Sequence, residues 1–242
     1  MNYKKLMITL FAVLGLLITV VAVFFIYVNS YYEADMEAIA TYEYNGYVTR
    51  EIDDGTVAYV PDGEYDTGIV FYPGGKVEHR AYIPLMKALA SQGVLCILVD
   101  MPFNLAVLDI NRADGVYEGF VSVDRWYMAG HSLGGSMACE YALEKQSIFE
   151  GVILLASYSA ADLSKTELKV LSIYGSADTV LDKESYLENK SNLPADFEEH
   201  VLPGGNHAYF GVYGEQSGDG EGILSNREQI EQSVKIILEF VK

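Results

Sequence analysis

Hydrophobic residues follow two patterns along the chain. Residues 6–28 form one unbroken apolar run without a charge or a proline, whereas from residue 46 onward short apolar runs alternate with stretches of helical spacing. Short continuous runs are typical of strands buried on both faces of a sheet, and helical spacing is typical of the helices that cover it. The pattern therefore predicts an α/β domain with a doubly wound, mostly parallel sheet, preceded by one transmembrane helix.

The predicted elements divide the chain into three parts. Strands are predicted over residues 57–60, 68–72, 94–100, 125–130, 151–156, 168–175 and 197–202, and helices over residues 81–92, 106–117, 132–145, 183–189 and 226–241. The polar, tyrosine-containing residues 29–45 are predicted to form a stalk or a short helix that leaves the membrane. The expected organisation is a membrane segment (1–28), a stalk (29–45) and an α/β domain (46–242).

The N-terminal apolar run is long enough to cross a bilayer. At ~1.5 Å per residue it reaches about 35 Å as a helix, against a hydrocarbon core of ~30 Å. Lys4 and Lys5 precede it, and acidic residues follow from Glu33 onward. Because basic residues are retained on the cytoplasmic side, we expect a single-pass protein of the cell membrane whose domain lies on the extracytoplasmic side.

A cleaved signal peptide is the alternative for this segment. Its apolar core is shorter, and small residues at the cut site follow closely. Here an Ala-x-Ala sequence occurs only at residues 38–40, well downstream of the apolar run. The sequence therefore favours an uncleaved signal-anchor, and both alternatives place the domain outside the cytoplasm.

The charge and the cysteine content of the chain argue against several kinds of binding partner. The 242 residues carry a formal net charge of −18, which argues against binding to nucleic acid or to anionic lipid headgroups. Cys96 and Cys139 lie in apolar stretches without metal-ligand spacing and are predicted to be buried thiols. No metal site is predicted.

One serine is flanked by glycines at the point where a strand pattern gives way to a helical pattern. The sequence GHSLGG, residues 130–135, has the glycines of a nucleophile elbow, a strained strand-to-helix turn that lifts its serine above the sheet edge. The glycine spacing alone is a weak signal, because it can occur by chance. The strand pattern before Ser132 and the helical pattern after it make the signal stronger. Ser132 is the candidate nucleophile, and a glycine-rich turn without chemistry is the alternative.

A serine needs a base that takes its proton, and the chain has four histidines. His207 lies in a glycine-rich loop after the last predicted strand, where residues converge on a site above the carboxyl ends of the strands. His131 is a poor candidate because neighbouring side chains in a sharp turn point apart. His79 precedes a helix, and His200 lies in the pattern of an exposed strand. His207 is therefore the candidate base, with an ordinary loop histidine as the alternative.

The third member of such a site is a carboxylate that orients the imidazole. Asp178 follows directly on a buried-type strand and is the candidate, although turns also favour Asp. Asp182 has the pattern of a helix cap, and Asp162 and Asp100 remain as further alternatives. Two backbone amides would then stabilise an oxyanion: that of Leu133, directly after the nucleophile, and that of Gly75, in the loop after the strand at 68–72.

These motifs together resemble the α/β-hydrolase superfamily over residues 46–242. The order Ser132, Asp178, His207 is similar to the order of that superfamily, and GHSLGG is similar to the elbow of many lipases and esterases. The stretches YPGGKVEHRAY, DMPFNLAVLD and GSADTV resemble more closely a bacterial group with a serine nucleophile that is related to dienelactone hydrolases. True dienelactone hydrolases have a cysteine where this chain has Ser132. The resemblance implies hydrolysis of a small-molecule carboxylic ester or related acyl bond, without metal or organic cofactor.

The loops around the predicted site suggest an open site without a cap, and three functions remain as candidates. About eleven residues separate the strands at 151–156 and 168–175, which is too few for the cap domain that many relatives of this fold insert there. The glycine-rich residues 204–222 are expected to form either a mobile flap or a fixed loop. The candidate functions are a membrane-anchored serine hydrolase, an acyltransferase with the same triad, and an exported binding module without catalysis.

Overall fold

The computed structural model describes residues 3–53 and 55–242. This described chain divides into one unit that ends at Tyr31 and a second that spans Tyr32–Lys242. In the first unit, helix α1 (Tyr3–Asn29) presents exposed apolar side chains along most of its length. Its most apolar window has a mean hydropathy of 2.8, so by length and composition it could cross a membrane, as an anchor or a signal sequence would.

The second unit is built on a sheet of eight strands in the order β1-β2-β4-β3-β5-β6-β7-β8. The strands are β1 (Tyr47–Asp53), β2 (Thr56–Pro61), β3 (Thr67–Tyr72), β4 (Leu95–Leu98), β5 (Arg125–His131), β6 (Phe149–Leu155), β7 (Lys169–Gly175) and β8 (Glu198–Leu202). Pairings β1–β2 and β2–β4 are antiparallel, and the others are parallel. The parallel strands therefore end at one common edge, where ligand sites of open α/β sheets form.

Helices cover both faces of this sheet. They are α2 (Met36–Ala40), α3 (Ile83–Ala90), α4 (Leu133–Glu144), α5 (Lys183–Asn189) and α6 (Asn226–Val241). Leu85 of α3 and Ile237 of α6 belong to the core on one face, and Ala138 of α4 to the core on the other. The predicted fold class, a doubly wound and mostly parallel sheet, is thus confirmed. No helix lies between β6 and β7 in the described chain, which agrees with the absence of a cap there.

Two elements differ from the prediction. Strand β1 is not predicted, because it is an edge strand with mostly exposed residues and so lacks a buried hydrophobic pattern. Residues 106–117, predicted as a helix, instead contain the short 3-10 turns Ala106–Leu108 and Ile110–Ala113. Asp109 between them has extended φ (−154°), which interrupts the helical hydrogen bonds that the spacing suggests.

Residues 32–45, which the sequence assigns to a stalk, belong to the folded unit. Ile39 and Tyr42 are buried in the core, and the hydroxyl of Tyr42 donates to Asn226 Oδ1 at 2.7 Å. The guanidinium of Arg227 lies over the Tyr42 ring, 4.1 Å from its centre. The folded unit therefore begins well before residue 46, because these side chains contribute to its core.

Both cysteines lie in the interior of the sheet-and-helix layers. Cys96 is in β4 and Cys139 in α4, and neither is exposed. Burial raises the pKa of both thiols, that of Cys139 to about 12. They are buried, inert thiols, as the apolar stretches around them predict.

Candidate active site

Ser132 lies in a turn where backbone segments approach one another closely. It joins β5 to α4 with φ 50° and ψ −125°, a conformation that residues with a Cβ rarely adopt. A Cβ built on Gly130 would lie 2.5 Å from the backbone of Gly134, and one on Gly134 would lie 2.2 Å from the carbonyl oxygen of Pro73. The glycines around Ser132 are therefore required by packing, as a nucleophile elbow requires.

The backbone of Ser132 is fixed by its neighbours on the next strand. Its amide donates to the carbonyl of Leu155 at 2.9 Å, and its carbonyl accepts the hydroxyl of Ser157 at 2.7 Å. Both partners lie at the carboxyl end of β6 or directly after it. The serine is thus held at the edge where the parallel strands end.

His207 and Asp178 form a buried pair. Nδ1 of His207 lies 2.9 Å from Oδ2 of Asp178, and the side chains are almost completely inaccessible to solvent. Oδ1 of Asp178 accepts the amides of Val180 and Leu181 at 2.9 and 2.8 Å. Because a carboxylate is the acceptor, the proton of a neutral His207 resides on Nδ1, and Nε2 carries the lone pair.

That Nε2 atom has no hydrogen-bond partner among the described residues, although it is buried. Such unsatisfied buried atoms are uncommon and call for an explanation from function or from a group that binds there. His207 and Ser132 line one pocket of about 250 Å³. The other lining residues are Leu133, Ser136, Ala156, Ser157, Tyr158, Val180, Leu181 and Asp182.

Leu133, which lines this pocket, lies beside Gly75, and the amides of both residues have no acceptor in the part of the chain that the structure describes. The amide of Leu133 belongs to the first residue of α4 and so has no acceptor within the helix. A Cβ built on Gly75 would lie 2.8 Å from Cδ2 of Leu133, so the two residues are in close contact. The Gly74 amide is occupied by the hydroxyl of Tyr82 at 3.1 Å, whereas no acceptor for the Gly75 amide occurs among the described residues. Gly75 and Leu133, the two residues whose amides the sequence suggests as oxyanion donors, are thus neighbours in the structure, and the role of their amides stays a prediction.

The other histidines lie in different settings. Both ring nitrogens of His131 are hydrogen-bonded, to Tyr82 and to the carbonyl of His207, and burial together with the nearby His207 ring holds the pKa of His131 well below its usual range. Nδ1 of His79 pairs with Asp100 at 2.9 Å, and His200 lies on β8 near a glutamate.

The alternative carboxylates are also engaged elsewhere. Asp182 is the N-cap of α5, where its Oδ1 accepts the amides of Glu184 and Ser185 at 3.1 Å each. Asp162 accepts the amide and the hydroxyl of Ser164. Asp178 is therefore the carboxylate that contacts His207 in this structure.

The glycine-rich segment after His207 is tied to the site by one acidic residue that sequence reasoning missed. Oδ2 of Asp219 accepts the amide of Ala208 at 2.9 Å, and its Oδ1 accepts the amide of Thr179 at 3.4 Å. Because Ala208 follows His207 and Thr179 follows Asp178, one carboxylate connects both loops. Of the two alternatives for this segment, these bonds favour a fixed loop. Nothing in the local sequence around Asp219 signals the contact.

Comparisons with known proteins agree with this architecture. The model of the alpha/beta hydrolase family matches residues 68–231, which is more than half of the chain. No curated protein matches the sequence.

Solved structures share the fold at low sequence identity. A predicted CIB-like hydrolase from Thermoplasma acidophilum is 21% identical with a TM-score of 0.56 and covers 80% of this chain and 97% of its own. Est1E from Butyrivibrio proteoclasticus is 16% identical with a TM-score of 0.58, covering 81% and 98%. Dienelactone hydrolase from Anabaena variabilis is 14% identical with a TM-score of 0.60, covering 82% and 100%. With the family match, the strand order and the elbow in agreement, the chain belongs to the alpha/beta hydrolase family.

Proposed function

We propose that the protein is a serine hydrolase that cleaves a carboxylic ester or related acyl bond through an acyl-enzyme on Ser132, and that α1 anchors it in a cell membrane with the domain outside. One observation carries the catalytic proposal. His207 pairs with Asp178 through Nδ1, keeps an Nε2 atom that is unpartnered among the described residues, and lines the same pocket as Ser132. This is the arrangement that converts a weak serine nucleophile into an effective one.

In the acylation half of the reaction, Nε2 of His207 takes the proton of the Ser132 hydroxyl as Oγ attacks the carbonyl carbon. The carbonyl π electrons move onto oxygen, which accepts hydrogen bonds from the amides of Leu133 and Gly75. When the tetrahedral intermediate collapses, the bond to the leaving oxygen breaks, and the imidazolium returns its proton to that alkoxide. The alcohol leaves, and the acyl group stays on Ser132.

In the deacylation half, a water molecule takes the position of the alcohol. His207 removes a proton from the water as its oxygen attacks the acyl carbon, and then gives this proton to Oγ of Ser132 as the ester bond to the enzyme breaks. Asp178 keeps Nδ1 protonated throughout and stabilises the imidazolium. The products are the free acid and the regenerated serine.

The pocket suits a small group on the substrate. A volume of about 250 Å³ lies near the lower end of ligand pockets in proteins. The fold neighbours include Est1E and a dienelactone hydrolase, whose name states an ester substrate of the lactone class. Short-chain esters are therefore the substrates to test first.

The membrane part of the proposal rests on α1. This helix carries no charge from Leu6 to Asn29, and Lys4 and Lys5 in its first turn mark the end that would stay in the cytoplasm. An uncleaved helix of this kind would hold the hydrolase at the outer surface of the membrane.

A fluorophosphonate probe tests the proposed nucleophile, because it reacts covalently with activated serines. We expect stoichiometric labelling of the wild type and none of Ser132→Ala. Ser136→Ala is the matched control, since Ser136 lines the same pocket but donates to the carbonyl of Tyr158 at 2.7 Å. The proposal fails if Ser132→Ala keeps full labelling and turnover of p-nitrophenyl acetate.

A further inference from the structure

Two fully buried side chains that take no part in the proposed proton transfer connect the two loops of the site. Oη of Tyr82 lies 2.8 Å from Nδ1 of His131, and Nε2 of His131 lies 3.1 Å from the carbonyl oxygen of His207. The amide of Gly74 donates to Oη of Tyr82 at 3.1 Å. This series of three hydrogen bonds, from Gly74 through Tyr82 and His131 to His207, is called the polar relay below.

The direction of each bond in the polar relay follows from donor and acceptor counting. Oη of Tyr82 accepts the Gly74 amide, and its single proton is then available for Nδ1 of His131. A neutral His131 whose Nδ1 accepts carries its proton on Nε2, and this proton meets the carbonyl oxygen of His207. Of the two neutral tautomers of His131, only the one protonated on Nε2 satisfies all three contacts.

The surroundings of His131 maintain that state. Its ring packs against His207, with ring centres 4.6 Å apart, and against the rings of Tyr82 and Phe210 at 5.7 Å each. None of these neighbours is an anion, and a protonated His207 would repel a second positive charge. His131 therefore stays neutral while His207 gains and loses its proton.

One end of the polar relay reaches the second oxyanion amide. The carbonyl of Gly74 accepts the amide of Val77 at 3.1 Å. Because the carbonyl and the N–H of a trans peptide point in opposite directions, the Gly75 N–H points away from Val77. With the Gly74 amide held by Tyr82, both sides of this residue are fixed, and the Gly75 amide is left free beside Leu133.

We propose that Tyr82 and His131 are positioning residues, which hold the Gly75 amide and the backbone of His207 in one fixed relation to Ser132. The inference rests on the proposed function, and it adds residues that contact neither substrate nor reacting atoms. It also explains a requirement for glycine. A Cβ on Gly74 would lie 2.7 Å from Nδ1 of His131 and 2.8 Å from Oη of Tyr82.

Tyr82→Phe removes the central hydroxyl and keeps the ring that packs on Phe71. The matched control is Tyr72→Phe, because the Tyr72 hydroxyl also donates to a carbonyl, that of Ile110, and accepts an amide, that of Ala113. Tyr72 belongs to the core on the other face of the sheet. Both variants lose two buried hydrogen bonds, so they share the structural cost, and only Tyr82→Phe breaks the polar relay.

With a short p-nitrophenyl ester, we expect kcat of Tyr82→Phe to fall about 10- to 100-fold with little change in KM, since small displacements at a catalytic site cost rates of this order. Tyr72→Phe should stay within about 3-fold of the wild type when both variants show similar unfolding midpoints. Equal kcat values for the two variants would overturn the inference.

A second measurement needs no substrate. The ¹⁵N NMR shifts of the His131 ring in the wild type should show the neutral form protonated on Nε2 from pH 5 to 9. A proton on Nδ1, or titration of His131 within this range, overturns the polar relay whether or not the protein hydrolyses esters. If the wild type does not hydrolyse esters but His131 shows the expected ¹⁵N shifts, the proposed function is contradicted and the polar relay is not.

Discussion

Asp178 receives His207 on one carboxylate oxygen and two backbone amides on the other. Oδ2 lies 2.9 Å from Nδ1 of His207, while Oδ1 accepts Val180 and Leu181. Either oxygen of a carboxylate can serve either set of partners, whereas an amide side chain here could keep the two amide bonds only by turning its NH₂ group toward His207. This asymmetry determines what a single isosteric substitution would do to the imidazole.

Asp178→Asn should retain the fold and lose catalysis. The asparagine oxygen would keep the two amide bonds, which places the NH₂ group against Nδ1 of His207. Nδ1 must then accept, so the proton moves to Nε2 and the base is lost. We expect kcat for a p-nitrophenyl ester to fall about 10³- to 10⁴-fold.

Asp182→Asn is the control for that variant. It makes the same chemical change four positions along the chain, and asparagine is an equally good helix cap. Its activity should stay close to that of the wild type. If Asp182→Asn is the inactive variant and Asp178→Asn is active, the assignment of the third residue is wrong.

The acid side of the pH profile of kcat/KM should show the gain of a single proton. As a base, His207 must be neutral, so kcat/KM should fall on the acid side as His207 becomes protonated. His131 adds no second proton, because burial and His207 hold the pKa of His131 well below its usual range. We expect a limiting slope of one in log kcat/KM against pH, measured with one ester and constant ionic strength. A slope of two would show that a second histidine titrates with the first.

Gly75→Ala should weaken the oxyanion site. The added Cβ would lie 2.8 Å from Cδ2 and 3.2 Å from Cβ of Leu133, so the Leu133 side chain must shift close to its own amide. The expected result is a 10- to 100-fold fall in kcat, somewhat less than the loss of about 10²–10³ on removal of one donor. Gly63→Ala is the control, because no atom lies within 4 Å of its added Cβ. Unchanged kcat in Gly75→Ala would show that the Leu133 side chain accommodates the added Cβ without disturbing the oxyanion site.

The anchor is tested on cells. We expect the full-length protein to remain in the membrane fraction after an alkaline carbonate wash, and external protease to digest its domain on intact cells. The Lys4→Glu, Lys5→Glu double variant should lose this uniform orientation, because the basic residues set it. A soluble exported form that begins near Tyr31 or Thr41 would identify the segment as a cleaved signal instead.

Features that depend on neighbouring residues can be predicted from this sequence, whereas contacts between residues far apart in the chain cannot. The elbow around Ser132 follows from adjacent glycines, and proximity of Asp178 and His207 follows from their positions after strands that end at the same sheet edge. Strand β1 has no buried face to signal it. The contacts of Tyr82 with His131, 49 positions apart, depend on tertiary packing that no local pattern encodes.

The backbone at Ser132 has a consequence for folding stability. At φ 50° and ψ −125° a residue with a Cβ carries strain of about 1–3 kcal/mol, and glycine does not. Glycine in turn costs about 0.4–1 kcal/mol through the greater freedom of the unfolded chain. Ser132→Gly should therefore unfold at a higher urea concentration than Ser132→Ala, although neither variant has a nucleophile. The serine at position 132 would then lower the free energy of unfolding relative to glycine. Selection for stability alone would therefore favour glycine at this position.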